Sequence, residues 1–351
     1  MKDKYTFNLL IDYEDENEDM SFWINDIENN NKLSSIIKSK AFRRLKNISF
    51  LGAIDYSEEN KLSKDNRSRA THSLYVAALA NYISTKRGYS EDLKNNLIAA
   101  SLIHDIGHMP LSHSAEPYIK RKLGYGHHEI GEQIIDGEGD IGLELNKILN
   151  SNFDTTFIKS LLNNKMTSDG GDLFSNQINI DTIDGIIRSL EYKGKNKTNR
   201  LNRLEIAKYA FLNTECTKEK YSSLDYFWKS KHFVYYNFIN KDYAFISDKL
   251  SQLFFMENSI CERDLYSTEN AWEKKHYKLF YWLKDLRHNN IPDSIKDHSL
   301  EMVSRTYYVV DKELDLNCRY KNTKETKMAD ISKFLDNNYT QLNLNIKAQE
   351  F

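Results

Sequence analysis

Apolar side chains recur along this chain at intervals of three and four. Between Ser73 and Ile83 they fall at Leu74, Val76, Ala77, Ala80 and Ile83, a spacing that predicts an amphipathic helix. Leu93, Leu97, Ala100, Leu102 and Ile103 predict a second helix, with Ser90 as its N-cap and Glu91 and Asp92 in the first turn, where carboxylates favour the positive end of the helix dipole. Residues 178–190 and 248–266 predict a third and a fourth. Only 3 prolines and 13 glycines interrupt 351 residues, which favours long helices over many short strands. The predicted fold class is all-α. One exception is the β-branched and aromatic stretch Thr306–Val310, which predicts a strand pairing with residues 316–320 in a small hairpin. Stretches 57–69, 138–142 and 167–177 are expected to be connections.

Composition narrows the function. The length is compatible with two domains, or with one large helical domain and an appendage. Lys plus Arg is 49 against 51 Asp plus Glu, a net charge of −2, so no global basic field exists to hold a nucleic acid. The local run Lys193–Arg203 is expected to be a solvated loop, and it is the one place where a phosphate or a nucleic-acid strand would find concentrated positive charge. Cys216, Cys261 and Cys318 are far apart and odd in number, which fits a reducing compartment and excludes a cysteine-based zinc motif. The first residues lack an apolar signal region, and no apolar run approaches a membrane span. A cytoplasmic protein is expected.

Six of the ten histidines, His72, His104, His108, His113, His127 and His128, fall within residues 72–128. His72 opens a predicted helix, His104 and Asp105 end the next, and Asp181 opens another. Imidazole and carboxylate are suitable ligands for a borderline or hard divalent ion. A buried Asp105 beside Leu102 and Ile103 is costly without a cation, and an ion there would acidify a bound water and polarise phosphorus. His104-Asp-Ile-Gly-His108 also has the spacing of a zinc-protease helix. Asp105 is shorter than the glutamate base of those enzymes, Gly107 and Pro110 weaken a helix there, and that reading leaves His72 and Asp181 without a role.

In order, the chain presents F-R-R-L-K (42–46), R-A-T-H-S (69–73), H-D-I-G-H-M-P-L-S-H-S-A-E (104–116), H-H-E-I-G (127–131) and N-I-D-T-I-D (179–184). This series resembles the HD-domain phosphohydrolase superfamily, and within it the deoxynucleoside triphosphate triphosphohydrolases, over about residues 36–192. The resemblance implies an HD-domain helical fold in residues 1–285 and a small α+β extension in 286–351. It implies a divalent ion (Mn, Mg, Fe, Ni or Zn) held by His72, His104, Asp105 and Asp181. It implies substrate contacts from Arg69 and His108, and a catalytic group of His113, Glu116 and His128. A carboxylate beside His113 is expected to raise its pKa, so that it protonates the departing 5′ oxygen. His108 and His128 are spare donors for a second ion, whereas His127, which the pattern does not require, is expected to be a loop residue. A dNTP substrate and homo-oligomerisation are further implications.

Departures bear on the substrate. The antiviral type of triphosphohydrolase follows its last metal aspartate with a basic residue and then an aromatic one, where this chain has Thr182 and Gly185. Glu257 stands where an arginine precedes Asn-Ser. Lost cationic and stacking contacts are expected, with Arg188, Arg263, Tyr266 and the 193–203 run as candidate compensating or substrate-binding groups. Other readings are a phosphatase or phosphodiesterase acting on another nucleotide, a non-catalytic nucleotide-sensing module, and a nucleic-acid-processing protein.

Overall fold

Small side chains punctuate the stretch after Arg69, and the computed structural model of the chain makes it the central helix. Arg69–Lys86 has 16 of its 18 residues buried. The structure describes residues 19–57, 62–166, 169–192, 194, 201–215, 217–240, 242–288, 301–303, 305, 307–310, 322–325 and 328–330. The expected polar stripe on this helix is absent. Ser73, Ala77, Ala78, Ala80 and Ser84 are all buried, and their small volume lets helices Met20–Asn29, Glu91–Ile103, Ile180–Tyr192 and Arg203–Phe211 pack around it. A helix covered on every face has no solvent side to keep polar.

Capping fixes where the elements begin. Ser68 Oγ accepts from Thr71 N at 3.2 Å, and Ser90 Oγ from Leu93 N at 3.4 Å. Asn179 Oδ1 accepts from Thr182 N at 2.7 Å, starting Ile180–Tyr192. Two expectations change. The predicted 248–266 helix ends at Glu257, having begun at Asp242; the Asn258 side chain donates to the Phe254 carbonyl, and Cys261 N, bonded to Asp264, opens a separate turn, Glu262–Leu265. The predicted connection 138–142 instead enters helix Gly139–Asn152. Gly142 serves close packing there, since a Cβ would lie 2.8 Å from the Ile134 carbonyl oxygen.

The described architecture is all-α apart from four short C-terminal strands. β1 (Glu301–Val303) pairs with β4 (Met328–Asp330), and β2 (Tyr307–Val310) with β3 (Asn322–Glu325), both antiparallel. The predicted strand thus pairs with Asn322–Glu325; residues 316–320 lie outside the described residues. Tyr307 and Val309 are buried, and β2 packs on helix Lys218–Val234. Among the described residues no helix is long and apolar enough to cross a membrane.

Three of the buried helices are joined by charge. Asp184 accepts from Arg188 Nε and from Arg203 Nε, each at 2.7 Å. Arg203 also forms a two-pronged bond with Glu191, at 2.8 and 3.0 Å, and both arginines lie over the Tyr75 ring of the central helix. Two guanidinium groups balance two carboxylates without solvent. Removing one charge strands the others in low dielectric, so Arg203→Met is expected to cost about 3–5 kcal/mol. Lys94→Ala, which opens the surface pair with Glu91, is expected to cost at most about 1 kcal/mol. Urea unfolding of the two variants measures the difference.

Candidate functional site

Helix ends deliver the four predicted metal ligands to one place. His72 lies one turn into the central helix, His104 is the C-cap of Glu91–Ile103, Asp105 follows, and Asp181 lies in the first turn of Ile180–Tyr192. His72 Nε2 is 3.0 Å from Asp181 Oδ1 and 3.3 Å from His104 Nε2. Asp105 approaches His104 at 3.6 Å and His72 at 3.7 Å. Donors about 2.0–2.1 Å from a shared ion sit roughly 3.0–3.5 Å from one another, so these separations and this mix of nitrogen and oxygen fit a divalent ion.

Outer contacts set which ring nitrogens face the centre. The Ser101 carbonyl can only accept, so His104 Nδ1, at 2.7 Å, carries the proton and Nε2 keeps its lone pair. Asp184 does the same for His72, with Nδ1 to Oδ2 at 2.7 Å in a fully buried contact. Such carboxylate–histidine pairs fix ligand orientation and tautomer. Asp184 was not singled out as a site residue, although its place three residues after Asp181 was visible in the sequence. Burial lowers the His72 pKa, but the bonds to Asp181 and Asp184 outweigh it, and the net result is a rise to about 9.

Arg69 is placed beside the centre, with each of its three guanidinium nitrogens already engaged once. Nη1 reaches Asp105 Oδ2 at 2.6 Å, Nη2 the Phe50 carbonyl at 2.7 Å and Nε Ser112 Oγ at 3.3 Å. Burial opposes ionisation of Asp105, and Arg69 with His104 and His108 reverses this, holding its pKa well below the usual carboxylate range. His108 is also buried, and its Nε2 lies 3.2 Å from Asp105 Oδ1.

A second cluster adjoins the first. Glu116 binds His113 Nδ1 at 3.1 Å through one oxygen, and the ring and backbone nitrogens of His127 at 2.5 and 3.0 Å through the other. His127 stacks on His108 with 4.1 Å between centroids. The expectation of a loop residue at His127 is therefore corrected: it begins helix His127–Ile135, and the close approach needed for this is built into the sequence. A Cβ at Gly107 would lie 2.0 Å from the His127 carbonyl oxygen and 2.3 Å from Gly131 N. His128 is exposed and lines the cavity beside His127. The pKa of His113 is also corrected. Burial lowers it, Glu116 raises it, and Arg69, Arg305 and His127 lower it again, leaving it below the ordinary value.

His113 follows two left-handed residues, Leu111 (φ 61°) and Ser112 (φ 44°), a costly backbone for non-glycine side chains. Glu269 holds it: its Oε1 accepts from Leu111 N and Ser49 N, each at 2.9 Å, and its Oε2 from Tyr56 at 2.6 Å.

Both clusters open into a cavity of about 450 Å³ lined also by Phe50, Thr182, Gly185, Tyr235 and Arg305. Phe50 and Tyr235 give the cavity aromatic surface, and a methyl on Gly185 would meet the Phe50 ring at 3.7 Å. Arg188, Arg263, Tyr266 and Glu257 do not line this cavity. Arg188 is buried and held by Asp184 and the Asn66 carbonyl, Arg263 and Glu257 are exposed elsewhere, and Tyr266 donates to Gln133. Glu257 thus stands outside the cavity wall. In the basic run, residues 193 and 195–200 lie outside the described residues, and Arg203 is buried in ion pairs, so it adds nothing to a nucleic-acid face.

The family model for the HD domain matches residues 69–208, the stretch that carries all four converging ligands. Residues 69–208 are an HD domain. Relatives agree at modest identity. A deoxyguanosinetriphosphate triphosphohydrolase-like protein of Caldanaerobacter subterraneus subsp. tengcongensis is 37% identical over 111 residues, 30% of each chain. One from Rhodopseudomonas palustris (strain BisB5) is 38% identical over 81 residues, 23% of this chain and 18% of its own. An uncharacterized protein of Mycoplasma pneumoniae is 28% identical over 174 residues, 45% of this chain and 39% of its own. The chain thus matches well under half the length of each of these relatives.

The HD centre has a titration signature. With a folded pKa of about 9 against the ordinary 6.5, His72 in the metal-free protein is protonated at neutral pH. Its stabilising contribution is complete below about 6.5 and is lost as pH rises through about 9. A cation must displace that proton, so metal affinity is expected to rise with pH up to about 9, with about one proton released per ion at pH 7. Calorimetry in buffers of differing ionisation enthalpy counts it, and His72→Ala is expected to abolish the release.

Proposed function

We propose that the chain is a divalent-metal-dependent nucleotide phosphohydrolase, and that its preferred reaction is hydrolysis of a dNTP to nucleoside and triphosphate. One observation carries this reading: His72, His104, Asp105 and Asp181 converge beside the His113–Glu116–His127 group in one cavity. The names of the triphosphohydrolase-like relatives support the substrate class.

Chemistry follows from the residues. An ion held by the four ligands would supply an acidic water and positive charge beside phosphorus. Arg69 keeps Asp105 ionised and aimed, and Asp184 keeps the His72 lone pair directed inward. Glu116 fixes Nδ1 of His113, leaving Nε2 as the proton donor to the departing 5′ oxygen. His113 is neutral in the empty cavity, and a phosphate chain offsets the repulsion from Arg69 and Arg305, so the proton is taken up as substrate arrives. His127 braces Glu116 from the opposite side. A cytoplasmic site of action and a homo-oligomeric state belong to the same proposal; light scattering reads the latter. Thr182 and Gly185 in the cavity wall favour a second reading, a phosphatase or phosphodiesterase acting on another nucleotide.

Phosphorus NMR of products formed from each dNTP and NTP with Mn²⁺ or Mg²⁺ separates the two readings. Inorganic triphosphate supports the first, and orthophosphate or a monoester the second. No turnover of any nucleotide overturns both. His104→Ala and Asp105→Ala are expected to abolish turnover and metal binding together. His127→Ala, which removes the Glu116 brace, is expected to lower kcat by about 10²-fold, within the range of acid–base contributions. His128→Ala is expected to have a smaller effect, and steady-state kinetics of the pair checks the order.

A further inference from the structure

Arg305 reaches the cavity from outside the matched HD domain, between the first two strands of the C-terminal ribbon. Its backbone is fixed by a reciprocal pair: Arg305 N donates to Asn240 Oδ1 and Asn240 Nδ2 to the Arg305 carbonyl, each at 2.9 Å. Its Nη2 meets Asp248 Oδ2 at 2.8 Å, and Asp248 Oδ1 accepts from Ser114 Oγ, next to His113. Three cationic side chains line the cavity among the described residues: Arg69, Lys159 and Arg305. Arg69 has every guanidinium nitrogen engaged, and Lys159 contacts both oxygens of Asp136. Among the described residues Arg305 makes one side-chain bond, through Nη2, so its Nε and Nη1 keep donors for a ligand.

We propose that Arg305 is the substrate-binding residue for the phosphates beyond the scissile one, which makes the C-terminal ribbon the element that distinguishes a polyphosphate from a monophosphate. A guanidinium presents paired donors matched to phosphate oxygens. Asp248 aims it and moderates its charge while the cavity is empty. This rests on the phosphohydrolase reading, because the chain of phosphates must begin at the His72–His104–Asp105–Asp181 centre.

Calorimetric titration of the full chain with inorganic triphosphate and with orthophosphate, in Mn²⁺, tests the assignment. Arg305→Gln is expected to weaken triphosphate binding about ten-fold, the loss of one charge-assisted contact, with orthophosphate changed less than about two-fold. Arg305→Lys should retain most of the triphosphate affinity. Asp248→Asn removes the counter-charge and should tighten triphosphate binding, a gain that mere destabilisation does not produce. For a nucleoside triphosphate, Arg305→Gln should raise KM about ten-fold, in step with the loss of triphosphate binding. Unchanged triphosphate binding in Arg305→Gln, equal loss for both anions, a fall in kcat at constant KM, or weaker binding in Asp248→Asn would each overturn the assignment. If the wild type turns over nucleotides while any of these holds, Arg305 alone is reassigned. If the wild type neither binds triphosphate nor turns over a nucleotide, the phosphohydrolase reading fails first.

Discussion

The bond between His72 and Asp184 holds two otherwise separate structures together. On one side, His72 turns Nε2 toward Asp181 and His104, the nitrogen that a cation can use once it displaces the proton there. On the other, Asp184 is a carboxylate with no solvent, tolerable only because Arg188 and Arg203 approach it. Burial would drive that carboxyl toward its neutral form, and the two guanidinium groups with His72 hold its pKa below the ordinary range instead. Arg203 extends the balance to Glu191. The orientation of a candidate ligand therefore depends on charges up to 131 residues away, at Arg203 in a different helix.

How much of this was legible depended on whether the information was local. Ser90 capped its helix as expected because an N-cap needs only three consecutive residues to declare itself. The ligands His72, His104, Asp105 and Asp181 were legible because each sits in a short motif at a helix end. His127 was misread although it stood in view among six clustered histidines: its part depends on Gly107, twenty residues earlier, yielding space for its carbonyl. Arg188 looked like a free cation although Asp184 stands four residues earlier, at helical pairing distance; the burial that locks the two together comes from helices far away in sequence. Arg305 carried no local signal at all. Its place depends on Asn240, sixty-five residues away.

The cavity is consequently a composite. The HD domain supplies the floor and both histidine clusters, whereas Glu269, Asp248 and Arg305 come from the chain beyond it. Glu269 pins the left-handed backbone at Leu111 that precedes His113, so a carboxylate 156 residues downstream determines where that imidazole is held. This division couples histidine and carboxylate chemistry in the first part of the chain to supports drawn from the second.

Gly107 ties the two clusters without slack. Bare backbone of the turn after Asp105 rests on bare backbone at the start of helix His127–Ile135, leaving no side chain between them to compress or swing. The spacing between the two backbone segments that carry the imidazole groups is accordingly gauged by hard atomic radii, like parts machined to a common face. A load placed on one segment is therefore borne directly by the other, with no soft side chain to absorb it.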